Sequence, residues 1–187
     1  MKAKDVCVIG ALTALGVILS AMLQFRLVGD IKVDLSYIVI VIVCYLYGGI
    51  YGCLSASFIA LLESTLFGAY GVSISWITAN FIIGLLSGFV LNYRKKQGVI
   101  KAIIDVSTII VSCAIGLLLV KTLIECKLYG IPFPVKIVKN AVAFGVDCAC
   151  MILGYFIVLP RVLKSRKYNI PRKEQKTNFN AKDGEEE

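Results

Sequence analysis

The stretch PFPVKIVKNAVAFGVDCACMILGYFIVLP, residues 132–160, decides how this chain is read. It is apolar for longer than the ~20 residues a helix needs to cross a bilayer. Pro134 stands where such a helix begins, at a position whose missing amide proton costs nothing. Yet it carries Lys136, Lys139, Asn140 and Asp147. Charges at membrane depth are expensive and persist where they meet a partner, water or a solute. Lys136 and Lys139 are three apart and are expected to share a face, with Asn140 beside it. Asp147 lies eight residues past Lys139, about 12 Å along the helix, so it has no simple neighbour in that group.

The rest of the sequence repeats the pattern. Of 187 residues, 58% are hydrophobic, and the mean hydropathy is +0.84. A soluble domain of this size cannot hide that much apolar surface. Charged residues fall in short clusters between long uncharged runs, so the expected fold is an all-α integral membrane protein, a six-helix transmembrane bundle. The spans are placed at residues 6–28, 35–46, 50–67, 76–93, 99–124 and 134–163. The second is nearest the lower length limit. Only Gly48–Gly49 separates it from the third, so one bent hairpin is an alternative. Residues 1–164 form the membrane domain. Residues 165–187, charged and without periodicity, read as a disordered cytoplasmic tail. The first span lacks a cleavage site, so no removed signal peptide is expected.

The net charge is +8. Lys2 and Lys4, the basic loop at Arg94, Lys95 and Lys96, and the cluster from Arg161 to Lys167 all flank apolar runs. They fall on one side if both termini are cytoplasmic. Asp30, Lys32, Asp34, Glu63, Glu125 and Lys127 then face outward. This reading takes the basic excess as topological, and no nucleic-acid partner is expected. Seven cysteines are scattered through apolar runs and histidine is absent, which argues against a metal site or a disulfide framework. Without histidine, a phosphate-cradling loop or a suitable acid pair, an enzyme is not expected. Uphill transport would draw on an ion gradient or another subunit.

Two readings stand for each polar residue at the outer ends. Lys136 and Lys139 either snorkel to headgroups or form a cationic patch for a carboxylate or phosphate on a small solute. Glu63 closes the third span and faces water, a lysine or ligand. Trp76 is an interfacial anchor or a pocket wall. Asn80 serves an interhelical hydrogen bond or a ligand. Tyr37, Phe67 and Tyr70 are candidates to stack on a flat ring. In the first span, Gly10 and Ala14 form a small-xxx-small pair, as do Gly84 and Gly88 in the fourth.

The stretches ALTALGVILS (11–20), VDLSYIVIVIVCYLYGGIYGCLSA (33–56), WITANFIIGLLSGFVLNYRKK (76–96) and IPFPVKIVKN (131–140) together resemble the substrate-binding S component of energy-coupling-factor (ECF) vitamin transporters, closest to the folate type. The resemblance covers roughly residues 6–164. It implies six helices, a vitamin pocket near the outer face of a bacterial cell membrane, a transmembrane coupling subunit and two cytoplasmic ATPase subunits. It implies a vitamin as transported ligand and no catalytic cofactor. It would place Lys136, Lys139 and Asn140 near the pocket, Glu63, Phe67 and Tyr70 by its outer loop, Trp76 and Asn80 along its wall, and Asp34 and Tyr37 at its edge. In many members two alanines four apart on the first helix dock the coupling subunit. Gly10 and Ala14 hold that spacing here, with glycine in place of the first alanine. Two lysines suit an anionic vitamin such as folate, with pantothenate or riboflavin as alternatives. A structural or assembly subunit, a membrane enzyme acting on a lipid, and a gradient-driven carrier are the competing classes.

Overall fold

The computed structural model describes residues 3–22, 34–67, 72–93 and 99–168. The end of the first span, most of the GDIKVD bridge, Tyr70, the basic loop at 94–98 and the tail beyond 168 lie outside the described residues, as does the side chain of Phe67. The described chain is all helical. It comprises α1 (Ala3–Met22), α2 (Ser36–Tyr47), α3 (Gly49–Phe67), α4 (Ile74–Tyr93), α5 (Val99–Tyr129) and α6, which begins at Phe133 and runs through Leu159–Tyr168. Four of these, α3 to α6, are long and apolar enough to cross a membrane. Leu15, Ile18, Phe58, Phe89, Ile103, Val111, Val138 and Phe156 are among the large apolar side chains left exposed on the bundle. That surface belongs in lipid rather than water.

The short α2 is the centre. Its 12 residues rise only ~18 Å, less than the hydrocarbon thickness. Eight of them are buried, from Ser36 to Cys44. It packs against α1, α3, α4 and α6. Gly48 ends it with φ +87°, a left-handed conformation that costs glycine little. α3 starts at the next residue, so the second and third helices form a sharp hairpin.

Close approach of α3 and α4 explains the GLLSG pair. A Cβ on Gly84 would sit 2.6 Å from the Gly52 carbonyl oxygen, and one on Gly88 would sit 2.6 Å from Gly49 Cα. Backbone meets backbone there, as small residues permit in membrane helices. Cross-helix hydrogen bonds add specificity: Ser87 with Ser112 at 2.7 Å, and Thr13 with Ser55 at 2.8 Å. By contrast, a Cβ at Gly10 would meet nothing within 4 Å. Gly10 and Ala14 are both exposed on α1.

Two long helices depart from α geometry. α5 is π-helical over Ala114–Lys121, and α6 over Gly154–Val158. Each segment lies at a tight contact. A Cβ on Gly116 would sit 2.5 Å from Ile83, and one on Gly154 would sit 2.9 Å from Ile38 Cα. A π turn holds an extra residue, so it rotates everything after it relative to an ideal α-helix. α5 then continues five residues past its expected end, to Tyr129, where Gly130 caps it at φ +63°. At the far end, Lys101, Tyr45, Asp105 and Tyr155 tie α2, α5 and α6 together. Lys101 Nζ donates to Tyr45 OH at 3.1 Å and Tyr155 OH donates to Asp105 Oδ2 at 2.8 Å.

Candidate functional site

Polar and charged side chains converge where α3 ends, α4 begins, and α5 gives way to α6. Trp76, on the first turn of α4, is the hub. Its Nε1–H donates to Glu63 Oε2 on α3 at 3.3 Å. Lys121 Nζ on α5 stands 4.4 Å above its ring centroid, a cation–π contact that gains strength away from water. The Tyr37 ring on α2 meets Trp76 edge-on, with centroids 6.4 Å apart. Trp76 therefore faces the bundle interior rather than serving as a simple interfacial anchor.

Glu125 is the second centre. Its Oε2 lies 3.2 Å from Lys136 Nζ and accepts from Asn140 Nδ2 at 3.3 Å. Its Oε1 accepts from Ser75 Oγ at 3.3 Å. Asn140 also donates to Thr122 Oγ1 at 2.9 Å. One carboxylate thus joins α4, α5 and α6. Charge-assisted bonds are stronger than neutral ones, although at 3.2–3.3 Å these are long for the class.

The stripe on α6 that faces the bundle runs Lys136, Asn140, Asp147. Asn140 and Asp147 are buried and Lys136 is half-buried. Lys139 departs from the expectation that the two lysines share an inward face. It is exposed, because a three-residue step turns ~300° and leaves it beyond the edge of the buried stripe. Asn80 is buried, and its Nδ2 donates to the Trp76 carbonyl at 3.0 Å within α4. Glu63 is buried beside Trp76.

Asp34 precedes α2. It is 4% exposed and its Oδ1 accepts the Ser36 amide N–H at 2.9 Å, a local turn bond typical of aspartate. Burial pushes its carboxyl above the usual aspartate range, and the bond from the Ser36 amide opposes that shift. Tyr37, the next pocket candidate, is fully buried. The expected roles of Phe67 and Tyr70 fall outside what the described side chains address.

Four residues of the cluster were not singled out as binding groups from the sequence: Lys121, Thr122, Glu125 and Asp147. Their signal was the pair Lys121 and Glu125, four apart near the end of an apolar run, the same spacing as Lys136 and Asn140. Among the described residues, no group of three or more His, Cys, Asp or Glu is arranged to hold a metal ion. An open groove of about 270 Å³ lies at the opposite end of α2–α4, lined by residues including Tyr47, Tyr51, Phe89 and Tyr93. It shares nothing with the charged cluster.

An apolar helical bundle with charged, aromatic and amide side chains gathered at one end defines a membrane protein with an internal polar cluster. The comparisons with known proteins narrow that class. Residues 1–165 match the profile of the family described as ECF-type riboflavin transporter, S component, and the chain belongs to that family. It is the S component of an ECF vitamin transporter. Among solved structures, it is similar to the crystal structure of FolT bound with folic acid. That match has a TM-score of 0.60 at 16% identity, over 84% of this chain and 95% of that one. The likeness is one of fold. No curated protein matches by sequence.

Proposed function

We propose that the chain captures a folate-like vitamin at the outer face of a bacterial cell membrane and delivers it inward. Both termini are cytoplasmic in this reading. It works with a transmembrane coupling subunit and two cytoplasmic ATPases that supply the energy. The observation that carries the binding reading is the inward cluster around Trp76: an aromatic face capped by Lys121, flanked by Glu63 and Tyr37, with Lys136, Glu125 and Asn140 nearer the helix ends. Aromatic surface with a few placed polar groups is how small-molecule sites fix orientation. Folate offers both a flat ring for that surface and carboxylates for the ammonium groups. A similar fold in a folate-bound protein supports this choice. The family description favours riboflavin as the second reading.

Lys121 and Lys136 take the anion-facing roles in this reading, with Lys139 at the rim. Asp34, Asn80, Phe67 and Tyr70 complete the wall and outer loop. Gly10 and Ala14, exposed on α1, form the docking face for the coupling subunit.

The chain holds one tryptophan, and it is Trp76, so intrinsic fluorescence reports this site. Titrating the detergent-purified protein with folic acid, riboflavin and pantothenate is the test. Folic acid is expected to quench Trp76 at nanomolar concentration. Lys121→Met is expected to weaken it by about tenfold or more, the loss of one charge-assisted contact, and Lys139→Ala by less than about threefold. Saturable binding of riboflavin or pantothenate alone would overturn the folate assignment, and binding of none would overturn vitamin capture by this site.

A further inference from the structure

Three buried polar atoms at the start of α2 and on α6 have no hydrogen-bond partner among the described residues: Ser36 Oγ, Tyr37 OH and Asp147 Oδ1. Their residues are 1%, 0% and 1% exposed. Buried polar groups are nearly always paired, and each exception asks for a reason. These three are not scattered. The Asp147 carboxyl has a hydrogen bond with the Asp34 backbone, which leaves Oδ1 unpartnered, and Tyr37, Asp34, Lys121 and Glu63 all interact with it electrostatically. Asp147 lies two helical turns, ~10 Å, along α6 from Asn140, so it marks the far end of the cluster from the Lys136–Glu125 pair.

The chemistry of that end differs from the chemistry of the helix ends. Lys136 is already paired with Glu125 at 3.2 Å. Around Tyr37 the carboxyl groups of Asp147, Asp34 and Glu63 are gathered, and the Lys121 ammonium acts on Asp147. A carboxyl group keeps acceptor capacity whether or not it carries a proton. A ligand N–H that reaches Asp147 Oδ1 therefore finds an acceptor. The Tyr37 and Ser36 hydroxyls both donate and accept, so they serve a neighbouring ring nitrogen or carbonyl. Trp76 and Tyr37 provide aromatic surface beside this position.

We infer that Asp147, with the Tyr37 hydroxyl, is a specificity-determining acceptor that reads the N–H edge of an amino-substituted nitrogen heterocycle in the bound vitamin. A 2-amino-4-oxopyrimidine edge, as in the ring of folic acid, has adjacent N–H donors and fits. The imide edge of riboflavin has one N–H between two carbonyls, so it brings a single donor where the aminopyrimidine edge brings adjacent ones. Pantothenate has no such ring. The inference rests on the vitamin-binding reading above and adds to it the edge of the ligand that is recognised.

The test pairs stability with binding. Tyr37→Phe and Asp147→Asn are purified in detergent, melted without ligand, and titrated with folic acid, pteroic acid (the same ring without the glutamate tail), thiamin, riboflavin and pantothenate by Trp76 fluorescence. Removing an unpartnered hydroxyl relieves a buried cost, so Tyr37→Phe is expected to melt at or above the parent temperature while losing about tenfold in affinity for folic and pteroic acid alike. Asp147→Asn is expected to lose more, again equally for the two. Opposite signs for stability and binding are what a purely structural role does not produce. Folic acid affinity within about threefold of the parent in both variants would overturn the inference and leave the transport reading standing. Binding of riboflavin or pantothenate alone would also overturn it. If thiamin, an aminopyrimidine, bound in place of folic acid and lost affinity in both variants, Asp147's role would stand and the folate assignment would fall. A parent that binds none of the five would overturn both.

Discussion

Exchanging Glu125 for Gln and Lys136 for Met, singly and together, measures the ion pair that joins α5 to α6. The partners are 3.2 Å apart, with side chains 9% and 21% exposed. At an effective dielectric of about 20, the gross attraction is ~5 kcal/mol. Desolvation takes back much of it. Exposed pairs retain about 0.2–1 kcal/mol, whereas breaking a fully buried pair costs about 3–5 kcal/mol. This pair lies between those limits, so a coupling of about 2 kcal/mol is expected, roughly thirtyfold in the unfolding equilibrium. Ser75 and Asn140 donate to different oxygens of Glu125, so glutamine keeps an acceptor for one of them and loses the other bond along with the charge. The assay is unfolding in mixed micelles followed by Trp76 fluorescence, run as a double-mutant cycle. A coupling under about 0.5 kcal/mol, with all three variants folded, would refute the view that this pair holds the end of the site together.

Two further outcomes follow from the glycine contacts. Gly84→Ala drives a methyl group into the α3 backbone, 2.6 Å from the Gly52 carbonyl oxygen, and is expected to destabilise by about 1–3 kcal/mol. Gly10→Ala meets open space and is expected to be neutral or slightly stabilising through helix propensity; equal melting temperatures for the two would contradict the packing account. Because that face of α1 is open, Gly10→Leu and Ala14→Leu are expected to spare vitamin binding but reduce co-purification with the coupling subunit, and an intact complex after both changes would remove the docking assignment.

How far the sequence reaches depends on the kind of feature. Helix positions were legible because membrane spans obey a composition rule, and the six expected runs correspond to α1 through α6. The hairpin break at Gly48–Gly49 was legible from the residue type. The GLLSG pair was legible as a close-packing motif, though not its partner on α3. Of the site, Trp76, Glu63, Tyr37, Asn140 and Lys136 were named beforehand, and the structure brings them to one end of the bundle. Lys139 was named with them and lies on the exposed side of α6.

The sequence by itself determined a chain of apolar helices with polar groups concentrated near their ends, because burying backbone in lipid leaves few alternatives to a helix and charged residues must find water or partners. Which charges meet was decided by tertiary structure. The π-helical turn at Ala114–Lys121 rotates the end of α5 in a way no 3.6-residue period foretells, and the register that results sets Lys121 over Trp76 and Glu125 against Lys136. Asp147, which the sequence left without a neighbour, acquires Tyr37 and Asp34 because the short α2 sits at the bundle's centre and packs directly against α6.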